Sequence, residues 1–277
     1  MKTKHPLLEE LSAEFFGTAI LILFGCGVVA QVVTSGFPKS VAGGDHNSIA
    51  FSWGLGVTMA IYVAGRLSGA HLNPAVTIAL TVFKGFEVRK VLPYIAAQFL
   101  GAFVAAILVR FVYADQIAAI DPDHTKATQG IFGTSPGSGV SIATAFADQV
   151  LGTAILVMVI FAVTNAANNP PMANTGPLII GLLVVGIGMA WGTNAGYAIN
   201  PARDFGPRVA SWLTGYSDAM YSANGPELYF WLPIIAPIIG ALIGGALFVF
   251  CLERFLPDVE NLPQEIGTSE PTALAEK

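Results

Sequence analysis

Five stretches of this chain carry no Asp, Glu, Lys or Arg: 15–38, 46–65, 91–109, 149–202 and 228–252. A helix needs about 20 residues to cross about 30 Å of hydrocarbon at about 1.5 Å per residue. The long window 149–202 holds two such lengths, divided by the turn-forming run from Asn168 to Pro177. Six spans are therefore predicted, at 8–34, 48–66, 90–113, 143–165, 177–194 and 229–255.

Charged residues make up 11% of the 277 and hydrophobic ones 54%, whereas a soluble domain carries about 25% charge. The net charge of −5 is dispersed and no basic run interrupts it, so nucleic acid is not an expected partner. Cys26 and Cys251 fall inside apolar spans, where cysteine serves as a small hydrophobe; neither a disulfide nor a metal set is implied. Met1–His5 runs directly into Pro6, Glu9 and Glu10 and lacks the long apolar core of a signal peptide, so the first span is expected to be retained.

Two further apolar stretches, 74–83 after Asn73 and 201–213 after Asn200, are too short to cross a bilayer. An internal repeat explains them. Glu14-Phe-Phe-Gly17-Thr18-Ala-Ile-Leu21 recurs as Gln149-Val-Leu-Gly152-Thr153-Ala-Ile-Leu156. Gly54-Leu-x-Val57 followed by Gly69-x-x-x-Asn73-Pro74-Ala75 recurs as Gly181-Leu-x-Val184 followed by Gly196-x-x-x-Asn200-Pro201-Ala202. Each copy (about 8–113 and 143–255) has three spans, an odd number, so the second enters the membrane inverted, which places broken helices near the midplane. One membrane domain over 1–256 is expected. Lys2, Lys4, Lys84, Arg89, Lys90 and Arg254 flank one side, which puts both termini in the cytoplasm. The connection 114–142 then lies outside, and the polar tail 257–277 is expected to be disordered.

A single Asn-Pro-Ala is an ordinary helix start, because Asn caps and Pro suits the first turn. Two copies at equivalent points of an inverted repeat, each opening a half-length apolar helix, are not. Non-helical backbone at membrane depth persists only where protein surrounds it or it lines an aqueous cavity, and the second possibility makes a pore. Asn73 and Asn200 can cap their own helices through the side-chain oxygen and keep amide N–H donors for the lumen. The two helix N-termini bring positive potential that opposes cations and protons. Gly69, Ala70, His71, Gly196, Tyr197 and Ala198 precede the half-helices in irregular backbone and are expected to present carbonyl acceptors along the pore.

Ala13-Glu14-Phe-Phe-Gly-Thr18, Ser68-Gly-Ala-His-Leu-Asn-Pro-Ala75 and Gly196-Tyr-Ala-Ile-Asn-Pro-Ala-Arg-Asp-Phe-Gly-Pro207 resemble the aquaporin (major intrinsic protein) family, specifically its glycerol-facilitator or aquaglyceroporin branch. The resemblance runs over nearly the whole chain. It implies an all-α membrane protein of six transmembrane helices plus two re-entrant half-helices. It further implies a homotetramer in the cell membrane with one pore per subunit, conducting glycerol and water without a cofactor.

By the same resemblance, the narrowest region is formed by Trp53, Gly188, Tyr197 and Arg203, on the outer side of the Asn-Pro-Ala pair. A buried guanidinium is costly in a membrane unless it faces protein or water, and its planar donors suit two neighbouring hydroxyls of one polyol. Trp53 and Tyr197 would face the carbon side of such a solute. Water-selective relatives carry His at the position of Gly188 and usually Phe at that of Trp53, so Gly188 is expected to leave room for a carbon chain. Tyr113, Asp204, Arg208 and Pro233 also resemble the glycerol branch. Tyr197 departs from the Phe common in bacterial glycerol facilitators, and Gln149 departs from the acidic residue that usually pairs with Glu14 as a support of the re-entrant loops. His71 is read as a support rather than a pH switch.

A coupled transporter needs ion ligands or a carboxylate relay at the midplane, which these spans scarcely supply. His5, His46, His71 and His124 are scattered along the chain, so catalysis and metal binding are not expected. A water-selective channel is the alternative, separated from a polyol channel by filter width rather than fold.

Overall fold

The computed structural model describes residues 6–36 and 43–257; the tail expected to be disordered lies almost wholly outside them. Its helices are α1 (Pro6–Thr34), α2 (His46–Ser68), α3 (Pro74–Lys84), α4 (Val88–Val112), α5 (Ala114–Ile120), α6 (Lys126–Gln129), α7 (Ile142–Thr164), α8 (Gly176–Ala195), α9 (Pro201–Leu213) and α10 (Leu232–Cys251). Among the described residues there is no strand, only an isolated antiparallel bridge between Tyr221 and Leu228. Six helices (α1, α2, α4, α7, α8, α10) are long and apolar enough to cross a membrane.

The spans begin and end within a few residues of the sequence expectation. The connection 114–142, for which no element was expected either way, contains the short helices α5 and α6. Ile117 is fully buried there, and the Asp121 carboxylate accepts hydrogen bonds from the backbone N–H and hydroxyl of both Thr125 and Thr128. The last helix starts at Leu232 rather than 229, because residues up to Phe230 are held by backbone bonds to Met220.

The repeat is visible in the packing. α1 packs on α2 and α4 as α7 packs on α8 and α10, and α2 against α8 joins the two halves. Glycines allow the close approaches. A Cβ at Gly101 of α4 would collide with the Phe15 carbonyl of α1, and one at Gly244 of α10 with the Ala154 carbonyl of α7. Association of helices in lipid relies on such small-residue contacts, because apolar burial gives little drive there.

The half-helices α3 and α9, of 11 and 13 residues, both lie against α4 and α10. Lys84, ending α3, pairs with Glu253 just beyond α10, whereas Arg208 of α9 sits over Tyr229 just before α10. The two therefore run apart from a common midpoint, and end to end they cover about 36 Å, one membrane thickness.

Two predictions follow from the packing. Gly101→Leu or Gly244→Leu should each lower the thermal unfolding midpoint of the detergent-solubilised protein, an overpacking effect of at least about 1–3 kcal/mol. Burial raises the Asp121 pKa, but the hydrogen bonds from Thr128 and Thr125 outweigh it and hold the group below its ordinary value. Its contribution is therefore complete above the usual carboxylate range and lost as the pH falls through the lowered value. The stability gap between wild type and Asp121→Asn, followed by thermal unfolding, should be constant near neutrality and shrink only below about pH 4.

Candidate functional site

Each half-helix is preceded by a backbone run that L-residues rarely adopt. Gly69, Ala70 and Leu72 have φ of 82°, 50° and 53°, and Gly196, Tyr197 and Ile199 have 69°, 37° and 44°. Each non-glycine residue held there costs about 1–3 kcal/mol, so something must hold these loops. On the first loop it is Glu14 of α1, fully buried. Its Oε1 accepts from the His71 backbone N–H (2.9 Å) and the Ser68 hydroxyl (2.6 Å), and its Oε2 from the Leu72 N–H (2.7 Å) and Gln98 Nε2 (2.7 Å). On the second loop it is Gln149 of α7, whose Oε1 accepts from the Ile199 N–H (2.9 Å) while Nε2 donates to the Ala195 carbonyl (3.1 Å). Asp148 beside it accepts from Asn194 Nδ2 at 3.0 Å.

One helical turn after each of these side chains stands a glycine. The ideal Cβ position of Gly17 is 2.5 Å from the Leu72 side chain, and that of Gly152 is 3.2 Å from Ile199. The repeated acid-or-amide-x-x-Gly pattern is thus a two-part clamp. Its polar member takes the loop N–H, and its glycine receives the loop's hydrophobic side chain.

Asn73 caps α3 by accepting from the Ala75 N–H, and Asn200 caps α9 by accepting from Ala202 and Arg203. Their amide nitrogens cross to the opposite loop. Asn73 Nδ2 donates to the Ile199 carbonyl and Asn200 Nδ2 to the Leu72 carbonyl, each at 2.8 Å. One hydrogen of each amide therefore ties the repeats together and one remains. Both asparagines line an inner cavity of about 440 Å³, along with Gly69, Ala70, His71, Tyr197 and Ala198. Pro74, Pro201 and Ala202 instead line an apolar groove on the far side, with Phe99 and Ile238, and Ala75 is buried. Within each Asn-Pro-Ala only the asparagine faces the cavity.

A second cavity of about 290 Å³ lies toward the connection 114–142, lined by His46, Lys126, Thr134 and Gly196 among others. Trp53, Tyr197 and Arg203 line both cavities, so these three side chains stand between them. Arg203 lies over the Trp53 ring, its guanidinium carbon 3.9 Å from the ring centre. Among the described residues, no acceptor is bonded to its side chain. The Trp53 indole N–H and the Tyr197 hydroxyl are likewise buried without partners. Gly188 lines neither cavity. Its missing side chain is replaced by the Tyr197 ring, whose Cζ is 2.8 Å from the ideal Cβ position. The room expected for a solute is thus taken by an aromatic side chain.

Asp204 and Arg208 stand behind the constriction as a buried pair at 2.8 Å. Arg208 also donates to the Ala219 and Thr134 carbonyls, and Asp204 accepts from the Thr134 N–H and hydroxyl, so the pair ties the outer loops to α9. Tyr113 ends α4, and Pro233 sits buried in the first turn of α10; neither lines either of these two cavities. His71 packs against Phe86 and Tyr94 with Nδ1 3.2 Å from the Thr77 hydroxyl.

The sequence reading did not single out Ser68, Gln98, His46, Leu72 or Ile199. Gln98 had a signal, being the one amide in an otherwise apolar span. Leu72 and Ile199 act through their backbone groups and through side chains seated on Gly17 and Gly152, and a hydrophobic residue before each Asn gave no signal of that.

The two clamps are not interchangeable. In Glu14→Gln the new NH2 would face donors at either oxygen position, and in Gln149→Glu a second carboxylate would face the Ala195 carbonyl beside Asp148. Each exchange should lower stability by about 1–3 kcal/mol, read as the unfolding midpoint in detergent, with the double exchange no better than the sum.

Comparison with known proteins agrees with this architecture. The profile of the major intrinsic protein family matches residues 1–248. The glycerol uptake facilitator protein of Escherichia coli K12 is 40% identical over 98% of each chain. That of Pseudomonas aeruginosa is 42% identical over 97% of this chain and its own full length. The X-ray structure of the aquaglyceroporin from Plasmodium falciparum superposes with a TM-score of 0.79 at 32% identity, covering 88% of this chain and 97% of that one. With its repeated clamps, its two half-helices meeting at Asn73 and Asn200 and a family match over nearly its whole length, this chain belongs to the major intrinsic protein family.

Proposed function

We propose that this protein is a passive membrane channel for glycerol and related small uncharged solutes that also conducts water and excludes ions and protons. The observation that carries the reading is the set Trp53, Tyr197 and Arg203, which separates an outer from an inner cavity. Arg203 brings guanidinium donors with no bonded protein acceptor among the described residues, suited to a pair of adjacent hydroxyls. Tyr197 and Trp53 are suited to the carbon side of the same solute. Carbonyls of the two loops accept from the remaining hydroxyls, and the second amide hydrogens of Asn73 and Asn200 donate at the midpoint. The N-termini of α3 and α9 point at that midpoint, where their positive ends oppose cations. The two relatives named as glycerol uptake facilitators support the substrate class.

The family resemblance further supports a homotetramer with one pore per subunit in the cell membrane. The flanking Lys and Arg residues support cytoplasmic termini, and a single channel domain ends near residue 256. Exposed apolar side chains such as Phe16, Phe24, Phe51 and Met59 on α1 and α2 suit contact with lipid or neighbouring subunits.

One observation favours a narrower, water-selective pore: the Tyr197 ring fills the notch at Gly188, and Arg203 lies on Trp53. Stopped-flow light scattering on proteoliposomes separates the two readings. Swelling in a glycerol gradient above that of empty vesicles, non-saturating and independent of ion gradients, is expected, and Arg203→Ala should admit cations. Fast shrinkage in sucrose without glycerol swelling would instead make this a water channel.

A further inference from the structure

Among the described residues no hydrogen bond holds the Tyr197 side chain between the two cavities. Its backbone φ is 37°, its hydroxyl has no partner among the described residues, and its ring position rests on packing. One side of that packing is α8, where Gly188 and Gly192 stand one turn apart. The Tyr197 ring fills the notch at Gly188, and the His46 imidazole fills that at Gly192, with its Nε2 2.6 Å from the ideal Cβ position. A Cβ at Gly192 would also lie 3.3 Å from Tyr197 Cε1, so this glycine admits both rings. They meet edge to face, centroids 6.2 Å apart and planes at 88°. His46 is thus the outer bracket of Tyr197.

His46 is itself fixed. Its Nε2 lies 2.8 Å from the Gly188 carbonyl. A carbonyl only accepts, so Nε2 carries the proton and donates. Its backbone opens α2 directly after Asp45, whose carboxylate accepts from the Ser48 N–H at 2.9 Å while the Asp45 N–H donates to the Ser48 hydroxyl. This capping box sets where the imidazole leaves the helix.

We infer that His46 is a positioning residue of the constriction: its Nε2–H bond to Gly188 locks the imidazole in the space beside Gly192, which holds the Tyr197 ring inward and sets the largest polyol that passes. The inference rests on the channel reading above. It assigns a selectivity role to a residue outside the Trp53, Gly188, Tyr197 and Arg203 set, exerted through the Tyr197 ring. Without the imidazole, the Tyr197 ring can rotate outward over Gly192, and the passage opposite Arg203 widens.

The test measures glycerol, erythritol and water permeabilities of wild type, His46→Ala, His46→Gln and His46→Asn in proteoliposomes, each divided by the amount of reconstituted protein. In His46→Ala the erythritol-to-glycerol ratio should rise about fivefold, the factor that one net hydrogen bond corresponds to. Gln places its amide nitrogen where Nε2 stands and should restore the wild-type ratio; Asn is too short to reach Gly188 and should behave as Ala. A merely structural role would change the flux of all solutes together and leave the ratio alone. An unchanged ratio in His46→Ala, or a Gln variant indistinguishable from Ala, overturns the assignment. Should wild type pass water but no glycerol, the polyol reading fails instead, and the His46 role is then read as the onset of glycerol flux in His46→Ala.

Discussion

Irregular backbone in the middle of a membrane has no water to satisfy it, and every other feature of this protein depends on how that is solved. The first re-entrant loop hangs from one buried carboxylate. Four donors converge on Glu14: two backbone N–H groups, a serine hydroxyl and a glutamine amide. A lone buried charge would be prohibitive, but four donors supply the solvation that the bilayer does not. With the N–H groups of His71 and Leu72 held at α1, the chain keeps its left-handed turns and delivers α3 at mid-depth.

The second loop meets the same demand with different chemistry. Fewer donors approach Gln149, and an acceptor, the Ala195 carbonyl, faces the place a second carboxylate oxygen would take. An amide, one end accepting and the other donating, matches that environment. The side chain is dictated by the signs of the groups around it, so the repeat conserves the geometry of the clamp while its charge differs. The crossed bonds from Asn73 to Ile199 and from Asn200 to Leu72 then join the loops, and each half-helix start is fixed by the other half of the molecule.

Function follows from what these constraints leave unfilled. Held loops keep two cavities open on either side of Trp53, Tyr197 and Arg203, and among the described residues the Trp53 indole N–H and the Tyr197 hydroxyl are left without protein partners there. The buried Asp204 and Arg208 pair holds the outer loops behind that point, and glycines on α4, α8 and α10 allow backbones and rings to approach where a side chain would separate them.

The six spans, the two half-helices, the repeat and the asparagine pair were legible in the sequence. Charge-free windows, capping residues and internal similarity are local properties, and the membrane permits few ways of satisfying them. The repeat paired Glu14 with Gln149, and the family resemblance assigned the pair to loop support. The partners of each side chain could not. Nothing local says that Gly188 would be filled by Tyr197, that Arg203 would lie on Trp53, that only the asparagines of each Asn-Pro-Ala would face the cavity, or that His46 would reach a carbonyl 142 residues away. Those outcomes are set by which rings and carbonyls the packing of α2 on α8 brings together. Pattern along the chain determined the architecture, because backbone hydrogen bonding in a bilayer tolerates so little else; contacts distant in sequence decided the width and lining of the pore.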